Sequence, residues 1–157
     1  WYDGWATPRL RWLLPLILLT PFGEKYRFVE TYPYGVKDEA IRKVVASQLM
    51  SGDSTLAGTV GMAGASLREV RRVSAHVRKR LSQIRTPVLA LHAKEDDIAS
   101  LRNLHFLQAN IGGPFESVIL DDSYHVITID RQRKLVAEKT ASFFRSLRCK
   151  ETQPCCS

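Results

Sequence analysis

Between residues 66 and 147 the apolar positions alternate between the period of a helix and the short continuous runs of a buried strand. Leu67, Val70, Val73, Val77, Leu81 and Ile84 fall at three- and four-residue steps, which predicts an amphipathic helix. Its other face carries Arg68, Arg71, Arg72, Arg78, Lys79, Arg80 and Arg85. Ser66-Leu67-Arg68-Glu69 has the pattern of a capping box, so Ser66 is the expected N-cap. Pro87 closes the helix, because the residue before a proline is steered away from helical backbone angles, and Val88-Leu89-Ala90-Leu91-His92 follows as a strand. Ser100 to Ile111 returns to helical spacing through Leu101, Leu104, Leu107 and Ile111, with Gly112-Gly113-Pro114 as its stop. A second apolar run, Ser117 to Leu120, reads as another strand. The last helix starts near Asp130, a good N-cap residue, and turns Leu135, Val136, Phe143, Phe144 and Leu147 inward.

Helix, strand, helix, strand, helix is the grammar of a parallel, doubly wound sheet and places the chain in the α/β class. The first 65 residues follow no such rule. They hold Trp1, Trp5, Trp12, four prolines and the patch Tyr32-Pro33-Tyr34-Gly35, with one helix expected from Lys37 to Met50 and no strand. Leu10 to Phe22 is the most apolar stretch, but Arg11, Pro15 and Pro21 interrupt it and it falls short of the roughly 18 residues that a membrane span requires. No stable membrane insertion is expected.

Composition changes this picture little. With 157 residues, 45% hydrophobic and 25% charged, the chain suits a globular domain with one core. It opens on Trp1 without a signal-peptide pattern, and we read it as part of a longer protein. All three cysteines, Cys149, Cys155 and Cys156, lie in the last nine residues, so disulfides do not organise the fold and a cytoplasmic location is the simpler expectation. Residues 149–157 read as a disordered tail; Pro154 occupies the position that a prenylated cysteine would need, and the role of Cys155 and Cys156 stays open. The net charge of +7 raises the question of nucleic acid. The basic residues form one solvated helix face without interleaved aromatics, so no nucleic-acid partner is expected. No histidine spacing suggests a metal site.

Candidate chemistry sits at the two strand exits. Ala93-Lys94-Glu95-Asp96-Asp97 follows the first strand and Asp121-Asp122-Ser123-Tyr124-His125 follows the second. A parallel sheet presents its strand ends to one crevice, where an acid and a histidine 29 residues apart in sequence can meet. Taken singly, Asp96 reads as a loop carboxylate or helix cap, a job Glu95 or Asp97 could equally do, and His125 reads as a turn residue. His92 reads as packing. No Gly-x-Ser-x-Gly pentapeptide occurs; Gly61-Met62-Ala63-Gly64-Ala65-Ser66 has the wrong spacing.

These segments resemble the C-terminal part of α/β-hydrolases of the carboxylesterase and monoacylglycerol-lipase type. The likeness covers residues 85–147, with Ala93 and Tyr124 standing where smaller residues are commoner. It implies a division into a helical cap or lid over 1–65, the last two parallel strands with flanking helices of the hydrolase core over 66–148, and the tail. It also implies a serine-hydrolase triad in which Asp96 orients His125, with the nucleophile in an N-terminal half that this chain does not contain. Trp5, Trp12 and Tyr124 would then line the site for a small-molecule acyl ester; no cofactor or metal is implied, and the chain alone would be inactive. Two other readings stay open. One is an esterase of the GDS type using Ser54 of Gly52-Asp53-Ser54 with the block Asp122-Ser123-Tyr124-His125. The other is a non-catalytic, hydrolase-like binding scaffold.

Overall fold

In the computed structural model, residues 3–7, 13–29, 31–51 and 61–151 are described. Trp12, Ser54, Cys155 and Cys156 lie outside them. The elements run α1 (Leu14–Ile17), α2 (Pro21–Lys25), β1 (Arg27–Val29), α3 (Glu39–Ser51), β2 (Gly61–Ala63), α4 (Gly64–Arg78), a 3-10 turn (Leu81–Gln83), β3 (Val88–Ala93), α5 (Leu101–Asn110), β4 (Phe115–Leu120) and α6 (Arg133–Glu151).

The central feature is the parallel pair β3 and β4, in register from Val88 opposite Phe115 to Ala93 opposite Leu120. A parallel pair cannot be joined by a tight turn, and the apolar helix α5 makes the crossover, packing on both strands while α6 packs on β3. Ala93 and Leu120, the two strand ends, are fully buried, with Leu104 of α5 and Val136 of α6 among the other buried apolar residues. The strand ends are therefore the best-anchored part of the pair. The rest of it is less covered: Ile119 is 44% exposed, and β3 before Ala93 is only half-buried.

Several expectations need correction. No strand was expected in the first 65 residues, yet β1 and β2 pair antiparallel, Arg27 opposite Ala63 and Val29 opposite Gly61. Three-residue strands carry too few positions for an alternation to show, and the pairing is stabilised from outside by α2 packing on α4. Ser66 is not an N-cap. β2 runs directly into α4, so the helix starts at Gly64, and Glu69 is engaged with Arg68 and Arg72 at 3.7 and 3.1 Å. The expected inner stripe of α4 is buried only at its ends, at Leu67 and, just beyond the helix, Leu81; Val70, Val73 and Val77 are exposed. Phe144 also faces out, at 60% exposure, edge-on to Phe143. Asp130 caps no helix turn in the ordinary way, since α6 begins at Arg133 and the carboxylate is used elsewhere. Among the described residues no helix is long and apolar enough to cross a membrane.

Candidate active site

The loop leaving β3 is shaped by its own acid. Asp96 is 6% exposed, and its Oδ1 accepts the backbone N–H groups of Ile98 at 2.8 Å and Ala99 at 2.7 Å. This is the local turn that an aspartate makes when it folds back on the chain ahead of it. His92, at the end of β3, bonds through Nε2 to the carbonyl of Ala99 at 2.9 Å and so braces the same loop from behind. The segment 3–7 braces it from outside: Gly4 N–H donates to Ile98 O at 2.9 Å and Ala6 N–H to Asp97 O at 3.0 Å. A Cβ on Gly4 would lie 2.4 Å from the Asp97 carbonyl carbon, so this close approach requires glycine. Asp3 completes the contact by accepting the N–H and hydroxyl of Ser100 at the start of α5.

The loop leaving β4 delivers the histidine to this acid. His125 Nδ1 lies 2.9 Å from Asp96 Oδ2 and 3.1 Å from Oδ1. The structure thus brings together the two residues that the strand-end argument paired. Burial pushes the Asp96 carboxyl up, but the His125 ring and the N–H groups of Ala99 and Ile98 outweigh it and hold the group below the usual carboxylate range. The His125 side chain is 46% exposed, so its outer edge is reachable. An imidazole held at Nδ1 by a buried carboxylate has a fixed tautomer and presents Nε2 for proton exchange.

Tyr124, the residue before the histidine, packs against Trp5. Their rings meet edge-on at 5.5 Å, and the Trp5 indole N–H donates to the carbonyl of Glu95 at 3.0 Å. Lys37 Nζ lies 5.6 Å from the Tyr124 ring centre and pairs with Glu95 at 2.7 Å and Asp122 at 3.0 Å. Those carboxylates hold the Lys37 ammonium above its ordinary value. Asp122 is therefore committed to Lys37 and, at 3.1 Å, to Arg131; the acid on His125 is Asp96, not the Asp122 of the alternative block. An open apolar groove of ≈ 350 Å³ lies elsewhere, between α1 and α2, and none of the residues around His125 lines it. Among the described residues no group of three or more His, Cys, Asp or Glu side chains could hold a metal ion.

The sequence reading took Asp97 as a loop carboxylate or cap and Asp130 as a helix cap; the structure gives both buried roles instead. Asp97 is fully buried and accepts the N–H of His125 at 3.3 Å and of Gly35 at 3.1 Å. Burial pushes its carboxyl above the usual range. Asp130, equally buried, accepts N–H groups from Lys37, Asp38, Tyr124 and Arg131 at 2.7 to 2.9 Å, which together overcome burial and hold its carboxyl low. Their partners are all backbone N–H groups, four of the six distant in sequence, and residue type alone carries no trace of that.

No protein-family model matches the chain, and no curated protein matches it in sequence. Among solved structures it is similar to one from work on LipS and LipT, two metagenome-derived lipolytic enzymes, with 23% identity and a TM-score of 0.55. The match covers 57% of this chain and 37% of that one, so this chain matches well under half the length of its structural relative. Over the matched part, the chain has an α/β fold of the kind found in part of a lipolytic enzyme.

Proposed function

We propose that the chain is the C-terminal part of a serine carboxylic-ester hydrolase, with residues 1–65 as the cap and 66–148 as the closing portion of the catalytic core. The observation that carries this reading is the Asp96–His125 pair at two consecutive parallel strand ends, held at 2.9 Å. In this reading His125 Nε2 takes the proton from a serine supplied by the N-terminal half as that serine attacks the ester carbonyl. The imidazolium is stabilised by Asp96 through Nδ1–H, and the proton then passes to the departing alcohol. Water repeats the sequence in reverse on the acyl-enzyme. A mechanism of this type uses neither metal nor organic cofactor.

In this reading Trp5 and Tyr124, whose rings meet edge-on, would contact the acyl or alcohol group, and the resemblance assigns Trp12 the same role. The likeness to a lipolytic enzyme supports the esterase class. The test is hydrolysis of p-nitrophenyl butyrate by this chain and by a form extended upstream through the missing strands. Activity in the extended form alone, lost in His125→Ala, is the expected result. Activity in the short chain would move the nucleophile into it, and no activity in either form would favour a binding scaffold.

A further inference from the structure

We infer that Asp97 is a positioning residue for His125, acting together with the segment from Gly35 to Asp38 as a strap across the histidine turn; this rests on the reading of Asp96 and His125 as a catalytic pair. His125 lies beyond the end of β4, where no strand among the described residues pairs with its backbone. Its support comes from two consecutive carboxylates on the other strand exit. Asp96 binds the His125 ring and Asp97 binds the His125 backbone N–H, so one short piece of chain grips the same residue at both ends.

The second oxygen of Asp97 accepts the Gly35 N–H at 3.1 Å, while the Gly35 carbonyl accepts the Val126 N–H at 2.8 Å. Residue 35 is thereby tied to residues 125 and 126 by a shared carboxylate and a direct bond. Gly35 has φ +71, and a Cβ there would sit 2.8 Å from Val126 Cγ2 and 3.2 Å from the His125 Cβ. Both the backbone angle and the space demand glycine. Asp130 repeats the arrangement two residues on, joining the N–H groups of Lys37 and Asp38 to that of Tyr124. Asp38 then caps α3 by accepting the N–H groups of Ala40 and Ile41, so the strap is continuous with a helix of the first region.

A fully buried carboxylate is costly unless its oxygens are used, and both oxygens of Asp97 are used on this strap. In Asp97→Asn one of those acceptors becomes an NH₂ donor facing an N–H donor. The histidine turn loses its anchor while the Asp96 carboxylate remains. Displacement of a catalytic group by about 1 Å costs on the order of 100-fold in rate, which sets the scale of the effect.

The test uses the full 157-residue chain with ¹⁵N-labelled histidine, following the downfield Nδ1–H proton of a histidine bonded to a carboxylate. His76 and His105 serve as internal references. The expected result is a wild-type signal that disappears in Asp96→Asn, and that is lost or broadened in both Asp97→Asn and Gly35→Ala with helical circular dichroism retained. Gly35→Ala perturbs the strap without touching either carboxylate, so the question stands even if Asp97→Asn does not fold. A wild-type signal that persists unchanged in Gly35→Ala and Asp97→Asn overturns the positioning role and leaves the catalytic pair intact. Absence of the signal from the wild type, or its survival in Asp96→Asn, overturns the pair itself and the strap with it. In an active extended form, kcat should fall about 10- to 100-fold in Asp97→Asn with KM nearly unchanged.

Discussion

Residues 88–148 and residues 13–63 solve the problem of burying apolar surface in different ways. The later region has two aligned strands and two long helices, and its strand ends Ala93 and Leu120 are completely covered. The earlier region uses two short helices, the longer helix α3 and a pair of three-residue strands, and leaves Leu19 and Phe22 at 76% and 88% exposure. The candidate chemistry is attached to the well-anchored region, at its strand ends. Yet the placement of His125 depends on the other region, through Gly35, Lys37 and Asp38. Regular structure brings the acid and the base near each other; irregular structure sets how they meet.

The contrast is broken most severely at the strand ends. Leu120→Ala empties a site with no exposed surface and should cost about 2–5 kcal/mol, whereas Phe22→Ser should stay within about 0.5 kcal/mol. Urea unfolding of both variants measures the difference, and equal losses would show that the two regions share a core.

The next effect concerns acid. Asp96 and Asp130 have folded-state pKa values below their unfolded ones, so the stability they contribute is present above the unfolded value of about 3.9 and is lost as pH falls through the folded values. Asp97 is shifted the other way. Its contribution is present below the unfolded value and is lost as pH rises through the folded one. Stability should therefore fall on acidification below about pH 4, and Asp97→Asn should flatten the opposing dependence above it. Unfolding midpoints in urea from pH 3 to 7 read both signs; an unchanged profile in Asp130→Asn would count against that residue's role.

The smallest effect is on the solvated face of α4. Removing Arg72, whose side chain is 73% exposed beside Glu69, should alter stability by less than about 0.5 kcal/mol. A thermal melt of Arg72→Ala suffices to check this, and a larger loss would mean that this face is covered.

The strands and helices after residue 87 were legible because each is long enough to show its period: Leu101, Leu104 and Leu107 mark a helix face whatever surrounds it. The meeting of Asp96 and His125 was legible because parallel strands deliver their exits to one side. Ser66 was misread because a cap is chosen by where the preceding chain enters the helix, and the N-cap position falls at Ala63, three residues earlier. Phe144 was misread because periodicity assigns a face without saying how far the neighbouring layer extends.

Local spacing of apolar and polar residues was thus enough to show the α/β alternation and the two strands, and to put an acid and a histidine at neighbouring strand exits. Only the tertiary structure decided that Asp97 and Asp130 are buried, that Gly35 lies against His125, and that Asp122 is committed to Lys37 and Arg131. The physical reason is range. Periodicity is set by the geometry of a few neighbouring residues, whereas a buried carboxylate is explained by backbone N–H groups that the fold brings from as far as 93 positions away.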